Sequence, residues 1–324
     1  MITTHLLEDG QVRGDVPLAE LRQLAGGGRG LIWVDIDDEP RAGGEEVLGG
    51  IFGFHPLTID DCYNTLIDPP KIDDYRDYLF VIVHAVSYDA ARRRLSIDEL
   101  DLYIGRNYVV SFHKRPLGVV DELRRRTATG NHLLFRDAAF LAHALLDVVV
   151  DQFQPVVEEL DNEVADVEEL VLDHPRRRTL QEVLLLKRTT QRLKRTILPQ
   201  RDLVNRFARG EYEHLIGRES MMYYRDIYDH TVRVDEMIET LRDLADSALN
   251  TYLSSVNNRT NDVMKALAIV AVIFLPLTLI AGIYGTNFHN VPEYGWRWGY
   301  FYMLGVMGAV AAGLIAWFRW RGWF

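Results

Sequence analysis

Apolar residues change their rhythm along this 324-residue chain. The first part carries short runs rich in β-branched and aromatic residues: LIWVDID at 31–37, YLFVIVHAVSY at 78–88 and DLYIGRNYVVSFHK at 101–114. Turn-forming residues separate them, which predicts three strands, the second and third pairing across the connection Asp89–Leu100. GGGRG at 26–30 lacks the Gly-Lys-Ser/Thr ending of a phosphate loop and reads as a plain loop. From Arg136 onward, apolar residues recur at threes and fours. FLAHALLDVVVDQFQPVVEELDNEVADVEELVLDH (140–174) predicts a helix kinked at Pro155 and broken at His174-Pro175. A second helix follows through 179–207. Its Lys187, Arg188, Arg192, Lys194 and Arg195 answer the acids of the helix before it, as an antiparallel pair or as two separately solvated faces.

Between Gly217 and Pro276 there is neither glycine nor proline, so one helix is predicted from near Glu219 to Gly285. At 1.5 Å per residue it would be about 100 Å long. A lone helix of that length cannot bury its own apolar stripe. Positions 257, 261, 264, 268, 271, 275 and 278 alternate by threes and fours, a spacing with which copies could pack around an axis.

Two stretches are apolar throughout. Ala266 to Ile283 and Trp298 to Phe318 contain no charged residue. A membrane helix needs about 20 mostly apolar residues, with roughly 17 as the lower end. Trp296, Trp298, Tyr300 and Tyr302 begin the second run and Trp317, Trp320 and Trp323 end it, as expected of rings at the headgroup level. The alternative, two helices buried in a soluble core, fits charge-free runs of this length poorly. Arg259 and Lys265 precede the first span and Arg319 and Arg321 follow the second, which predicts cytoplasmic termini and an external loop. The start, MITTHLLEDGQVRGD, lacks the apolar stretch of a signal peptide. Two spans enclose no pore within one chain, so conduction would require several copies. The expected location is the cell (inner or plasma) membrane.

Charge sharpens this division. The net charge is −11. Residues 250–324 hold five basic residues against two acids, so the acidity lies in the preceding part, and nucleic acid is not an expected partner. The single cysteine, Cys62, excludes an internal disulfide framework. No metalloprotease, hydrolase, dinucleotide or Walker motif is present, so neither an enzyme nor an organic cofactor is expected, and transport would draw on the membrane potential or an ion gradient.

The residues after the first span, GIYGTNFHNVPEYGWRWGY (282–300), resemble the CorA family of divalent-cation channels. That family's signature there is Tyr-Gly-Met-Asn-Phe, followed by a Pro-Glu pair and a Trp-rich approach to the second span. Tyr284, Gly285, Asn287, Phe288, Pro292 and Glu293 match, and Thr286 stands in place of methionine. YYRDIYDHT (223–231), YLSSVNNRTNDVMK (252–265) and FLPLTLIAGIYG (274–285) are similar to the family's long pore helix. The resemblance implies a funnel-shaped homopentamer: an α/β N-terminal cytoplasmic domain, long helices and two C-terminal transmembrane helices. Its parts would be the α/β domain (1–130), an antiparallel helical hairpin (131–217) and the long pore helix with the first span (218–285). The external loop (286–297), the second span (298–318) and a basic cytoplasmic tail (319–324) would follow.

The same resemblance implies influx of Mg2+, with Co2+ and Ni2+, down the electrochemical gradient. Magnesium releases its waters reluctantly. A ring of Asn287 amides, set by Gly285 at the helix end and Thr286 beside it, would accept hydrogen bonds from those waters. Tyr284 and Phe288 would pack the loop and Glu293 would lie in it. Between Lys265 and Asn287 there is no carboxylate or histidine, which favours passage of a largely hydrated ion. Below the filter, Thr278, Leu275, Ala271, Leu267, Met264 and Asn261 would line the pore, the apolar rings gating by dewetting. Family gating by intracellular divalent ions implies a regulatory intersubunit site, with Asp226 on the long helix and Asp89 of the N-terminal domain as its expected ligands. Thr286 and the nearby His289 leave the preferred ion open. The alternatives are a Zn2+ or other transition-metal transporter and a non-conducting regulatory paralogue.

Overall fold

This computed structural model describes residues 1–8, 11–27, 30–128, 136–173, 176–286 and 291–323. The chain divides into two units, Met1–Leu170 with Arg176–Leu249, and Val171–Pro175 with Asn250–Phe324.

The first unit is built on a seven-stranded sheet. Its strands are β1 (Ile2–Glu8), β2 (Gln11–Gly14), β3 (Leu31–Asp37), β4 (Lys71–Asp74), β5 (Leu79–Asp89), β6 (Arg94–Ile104) and β7 (Tyr108–His113). They lie in the order β2-β1-β3-β7-β6-β5-β4. β3 and β7 run parallel, Val34 opposite Val110, and all other neighbours are antiparallel. Successive side chains of a strand point to opposite faces. Trp33, Val81, Val83, Leu100, Leu102 and Val109 therefore enter one core, and Val34, Phe80, Ile82, Tyr103, Val110 and Phe112 enter another on the opposite face. A sheet covered on both faces needs unbroken apolar strands, and LFVIVHAV of β5 is buried throughout.

The segment 101–114 is two strands, and most of the expected connection Asp89–Leu100 is strand as well. β5 and β6 form a hairpin closed at Ala90–Arg93, with Arg93 at φ 51° and Asp89 opposite Arg94. β6 turns into β7 at Gly105, whose N–H donates to the Tyr108 carbonyl at 2.9 Å and where any side chain would strike the Tyr108 ring. GGGRG is likewise not all loop: its first two glycines end a helix, and Gly30, at φ +67°, packs against the Leu7 carbonyl.

Helices α1 (Leu18–Gly27), α2 (Arg41–Glu45) and α3 (Pro56–Tyr63) are followed along the chain by α4 (Gly118–Ala128) and α5 (Ala138–Asp151). The Asp137 carboxylate caps α5 by accepting the Phe140 N–H at 2.8 Å. α5 stops one turn before Pro155, which lacks the N–H that would bond the Asp151 carbonyl. The chain resumes as α6 (Phe153–Asp173), so the expected kink is a break at Gln152. α7 (Arg177–Ala208), the single turn α8 (Glu213–Ile216) and the 64-residue α9 (Met221–Tyr284) follow, and α10 (Gly299–Trp320) comes last.

Among the described residues, the basic face of α7 pairs with α9 and not with α6. Lys194 bonds Asp235 at 2.6 Å and Glu239 at 2.9 Å, Arg201 bonds Asp235 at 2.8 Å, and Lys187 bonds Asp246 at 2.5 Å, all acids of α9. One acid of α6, Glu163, meets the β5–β6 hairpin instead. Tyr88 donates to Glu163 at 2.8 Å, and Arg93 sits 3.7 Å from Glu163 and 3.6 Å from Glu182 of α7.

Among the described residues, three helical segments are long and apolar enough to cross a membrane. In Ala138–Leu172 (α5 with α6), 56% of the apolar window is buried inside the protein, with Leu141, Leu145 and Val149 in the core on the sheet. In Met221–Tyr284 and Gly299–Trp320 the buried share is 6%.

Candidate ion pathway and metal centre

The membrane-class half of α9 has two unlike sides. Asn261, Met264, Leu267, Ala271, Leu275 and Thr278 are three or four apart, fall on one stripe, and are all exposed. Ile269 is two residues past Leu267, about 200° around the helix. It is buried, and Ile273, Pro276, Leu277, Ile280 and Tyr284 on its side are half-buried. The residues expected to line a pore thus form the bare side of the helix. That side carries no charged residue from Met264 to Thr278. The Thr278 hydroxyl donates to the Phe274 carbonyl at 2.9 Å, so its proton is committed to the helix and its oxygen remains an acceptor.

At the end of α9 the helix tightens. Gly285 donates to the Ala281 and Gly282 carbonyls at 2.9 and 3.2 Å, and Thr286 N–H donates to Ile283 O at 3.2 Å. The Thr286 hydroxyl donates to the same Ile283 carbonyl at 2.7 Å, satisfying one of the helix's terminal acceptors. Gly285 is not among the residues with positive φ; a Cβ there would sit 3.2 Å from the Ala281 carbonyl. A side chain there would crowd that carbonyl by a few tenths of an ångström, and no left-handed turn calls for the glycine. Asn287, Phe288 and His289 lie outside the described residues. Glu293 is half-buried in the 3-10 turn Pro292–Gly295.

The acidic candidates lie in the first unit. Asp226 is exposed on α9, and Asp89 closes the β5–β6 hairpin, where its carboxylate accepts the Arg92 N–H at 3.1 Å. Among the described residues, no hydrogen bond or ion pair joins the two within one chain. Asp226 instead stands near a group that the sequence reading did not single out. Asp147 and Asp151 of α5 and His230 of α9 bring their ligand atoms within 4.8 Å of one another. His230 Nδ1 is 3.4 Å from Asp151 Oδ1. Burial pushes the Asp147 carboxyl up to about 6; Asp151 and Asp226 add to this and His230 opposes it. The signal for this group was present in sequence as i,i+4 pairs, Asp147/Asp151 on an apolar helix and Asp226/His230 one turn apart. It was not legible because the two pairs are about 80 residues apart and only the packing of α5 on α9 joins them.

The donor set fits a divalent cation. Two carboxylates offer hard oxygens suited to Mg2+, and one imidazole adds affinity for Co2+, Ni2+ or Zn2+. A bound ion would offset the burial, and the smaller repulsion from Asp151 and Asp226, that hold the Asp147 carboxyl up.

A seven-stranded α/β unit followed by a long helix with an apolar end, and a second apolar helix after it, defines a class. Residues 28–320 match the family described as "CorA-like Mg2+ transporter protein", and the chain belongs to this family of transporters, which are not enzymes. It is 36% identical over 292 residues to the "Cobalt/magnesium transport protein CorA" of Thermotoga maritima, covering 90% of this chain and 83% of that one. The solved "complete structure of CorA magnesium transporter from Methanocaldococcus jannaschii" superposes with a TM-score of 0.87 at 21% identity, over 100% of this chain and 99% of that one. The full-length CmaX protein superposes with a TM-score of 0.76 at 20% identity, over 100% and 97%. These two structural likenesses bear on the fold.

Proposed function

We propose that the protein is a homopentameric channel for Mg2+, with Co2+ and Ni2+ as further ions, that conducts inward down the electrochemical gradient. The observation that carries this reading is the uncharged, uncovered stripe from Asn261 to Thr278, on the side of α9 opposite its half-buried face. A single chain leaves this stripe bare. Around a five-fold axis it becomes the wall of a conduit, with Leu267 and Leu275 as apolar rings that close by dewetting. α9 from about Ala266 and α10 are the two membrane spans, with both termini inside. The segment Ala138–Leu172 stays in the α/β unit, where its apolar side is already covered.

Five Asn287 amides form the filter, accepting hydrogen bonds from the ion's waters and so avoiding the cost of stripping them. Thr286 shapes the filter by holding the Ile283 carbonyl within the helix end, which keeps that oxygen from the ion. A potential of −100 mV supplies about 4.6 kcal/mol for a divalent cation, twice the roughly 2.3 for one charge. Intracellular divalent ions hold the closed state by bridging acids at subunit boundaries. Asp226 with Asp147, Asp151 and His230 forms one half of such a site, and Asp89 of a neighbouring copy is the expected second half. Loss of the ion restores the repulsion and shifts the population toward open.

The test is flux into proteoliposomes carrying a magnesium indicator, with an inside-negative potential. Wild type should take up magnesium, Asn287→Ala should lose at least tenfold, and Thr286→Val, which removes only the hydroxyl, should keep flux but change the magnesium-to-cobalt ratio. Zinc uptake without magnesium uptake would replace this reading with a transition-metal transporter, and no flux of any ion would make the protein a regulatory paralogue.

A further inference from the structure

A second set of charges lies at the loop end of the two apolar helices. A cavity of about 410 Å3 opens there, lined by Tyr284 of α9, Glu293, Trp296 and Arg297 of the connection, and Tyr300 of α10. That volume is within the range of small-molecule sites, roughly 300–1,000 Å3. The geometry around it is tightly wound. Trp296 N–H donates to the Glu293 carbonyl at 3.1 Å, and Gly299 N–H donates to the Trp296 carbonyl at 3.0 Å. A Cβ on Gly299 would strike the Glu293 carbonyl oxygen at 2.4 Å, so the turn is seated on the first residue of α10. Glu293 and Arg297 both line this cavity, yet among the described residues neither makes an ion pair or a side-chain hydrogen bond, with each other or with anything else. Opposite charges that share a cavity without touching leave room for a ligand carrying both signs.

We propose that this cavity holds the headgroup of a zwitterionic phospholipid, its phosphate on Arg297 and its ammonium on Glu293 among the rings of Tyr284, Trp296 and Tyr300. A guanidinium offers a fork matched to phosphate oxygens. An ammonium is attracted both by a carboxylate and by aromatic faces within about 6 Å. Rings of Trp and Tyr mark headgroup depth, so the ligand that reaches the cavity at high local concentration is lipid rather than a soluble phosphate ester. An anionic headgroup without an amine would leave Glu293 unanswered and facing like charge. The proposal rests on reading α9 and α10 as membrane spans.

The test uses the full chain in detergent, stripped of lipid. It is titrated with dihexanoyl phosphatidylethanolamine, dihexanoyl phosphatidylglycerol and free glycerophosphoethanolamine, and bound molecules are counted by native mass spectrometry. Wild type should hold the ethanolamine lipid at least tenfold more tightly than either alternative. Glu293→Gln should erase the preference over phosphatidylglycerol, Arg297→Gln should weaken both lipids at least tenfold, and Arg297→Lys should retain most binding. The Glu293→Gln arm decides the matter even if Arg297→Gln fails to fold, because it reads a change of preference rather than a loss. Equal retention by wild type and Glu293→Gln, a wild-type preference for phosphatidylglycerol, or equal binding of the free headgroup would each overturn the proposal. Release of the protein from membranes by alkaline carbonate, measured in parallel, would instead sink the span reading beneath it.

Discussion

Phe80 in β5 and Phe274 in α9 are the same residue in two equally apolar surroundings, but Phe80 is fully buried and Phe274 keeps 61% of its surface. The same holds for their neighbours. Leu79, Val81, Ile82 and Val83 show no exposed surface, whereas Leu267, Leu275 and Leu279 show 66–69%. In the first unit, hydrophobic burial is completed inside one chain, by two cores on a covered sheet. In the second, apolar side chains stay uncovered by the chain itself, as suits helices that meet lipid. Apolar content alone therefore does not say what a segment does, and the informative quantity is how much of it the chain itself covers. The segment Ala138–Leu172 shows why, since its composition is that of a span and its packing is that of a core helix.

The sharpest way to break this comparison is to delete the same ring at both places. Phe80→Ala should cost about 3–5 kcal/mol in unfolding experiments on the full chain in detergent. Phe274→Ala should cost less than about 1 kcal/mol, because it leaves no cavity inside the chain. Equal losses would mean that Phe274 is packed as a core residue.

A smaller effect tests the acidic cluster of the first unit. Asp147 has its folded pKa raised to about 6 from an ordinary 3.8. Between those values the folded state binds more protons than the unfolded one, so stability falls as pH rises through that window and is regained on acidification. In chelator, Tm should drop by about 2–4 °C between pH 5 and pH 7, taking roughly one kcal/mol for this partly exposed group. Magnesium should remove most of that drop, since a bound cation stabilises the charged form. Asp147→Asn should flatten the profile in chelator. An unchanged slope with magnesium present would separate the cluster from metal binding.

Some of this molecule was legible in its sequence. Strand β3 occupies the predicted residues 31–37, and the long helix lies within a few residues of its predicted ends. β6 was misread because Asp98 and Glu99 make residues 89–100 look like a solvated connection, with Asp101 opening the predicted strand. Two of those acids point inward. Glu99 accepts the Asp68 N–H at 2.7 Å and lies 3.3 Å from Lys114, and Asp101 is buried with its carboxyl pushed well up by desolvation. The partners of Glu99 come from a loop and from Lys114 just past β7, which no local pattern reveals. The charges of α7 were misassigned for the same reason. A helix with a basic face has two acidic neighbours in sequence order, and only packing decides which one it meets. The Asp147, Asp151 and His230 group needed two helices to be brought together before it existed as a group.

The central claim is that the bare stripe of α9 faces water on a common axis, and accessibility to a charged thiol reagent tests it most directly. Cys62 is buried, so the wild-type chain is a silent background. Leu275→Cys on the stripe and Val270→Cys on the flank, also exposed in one chain, would be reconstituted and treated with a membrane-impermeant methanethiosulfonate during magnesium flux. The account predicts that Leu275→Cys is labelled and its flux falls at least fivefold, while Val270→Cys is neither labelled nor blocked. Labelling and block at Val270→Cys with Leu275→Cys untouched would contradict it.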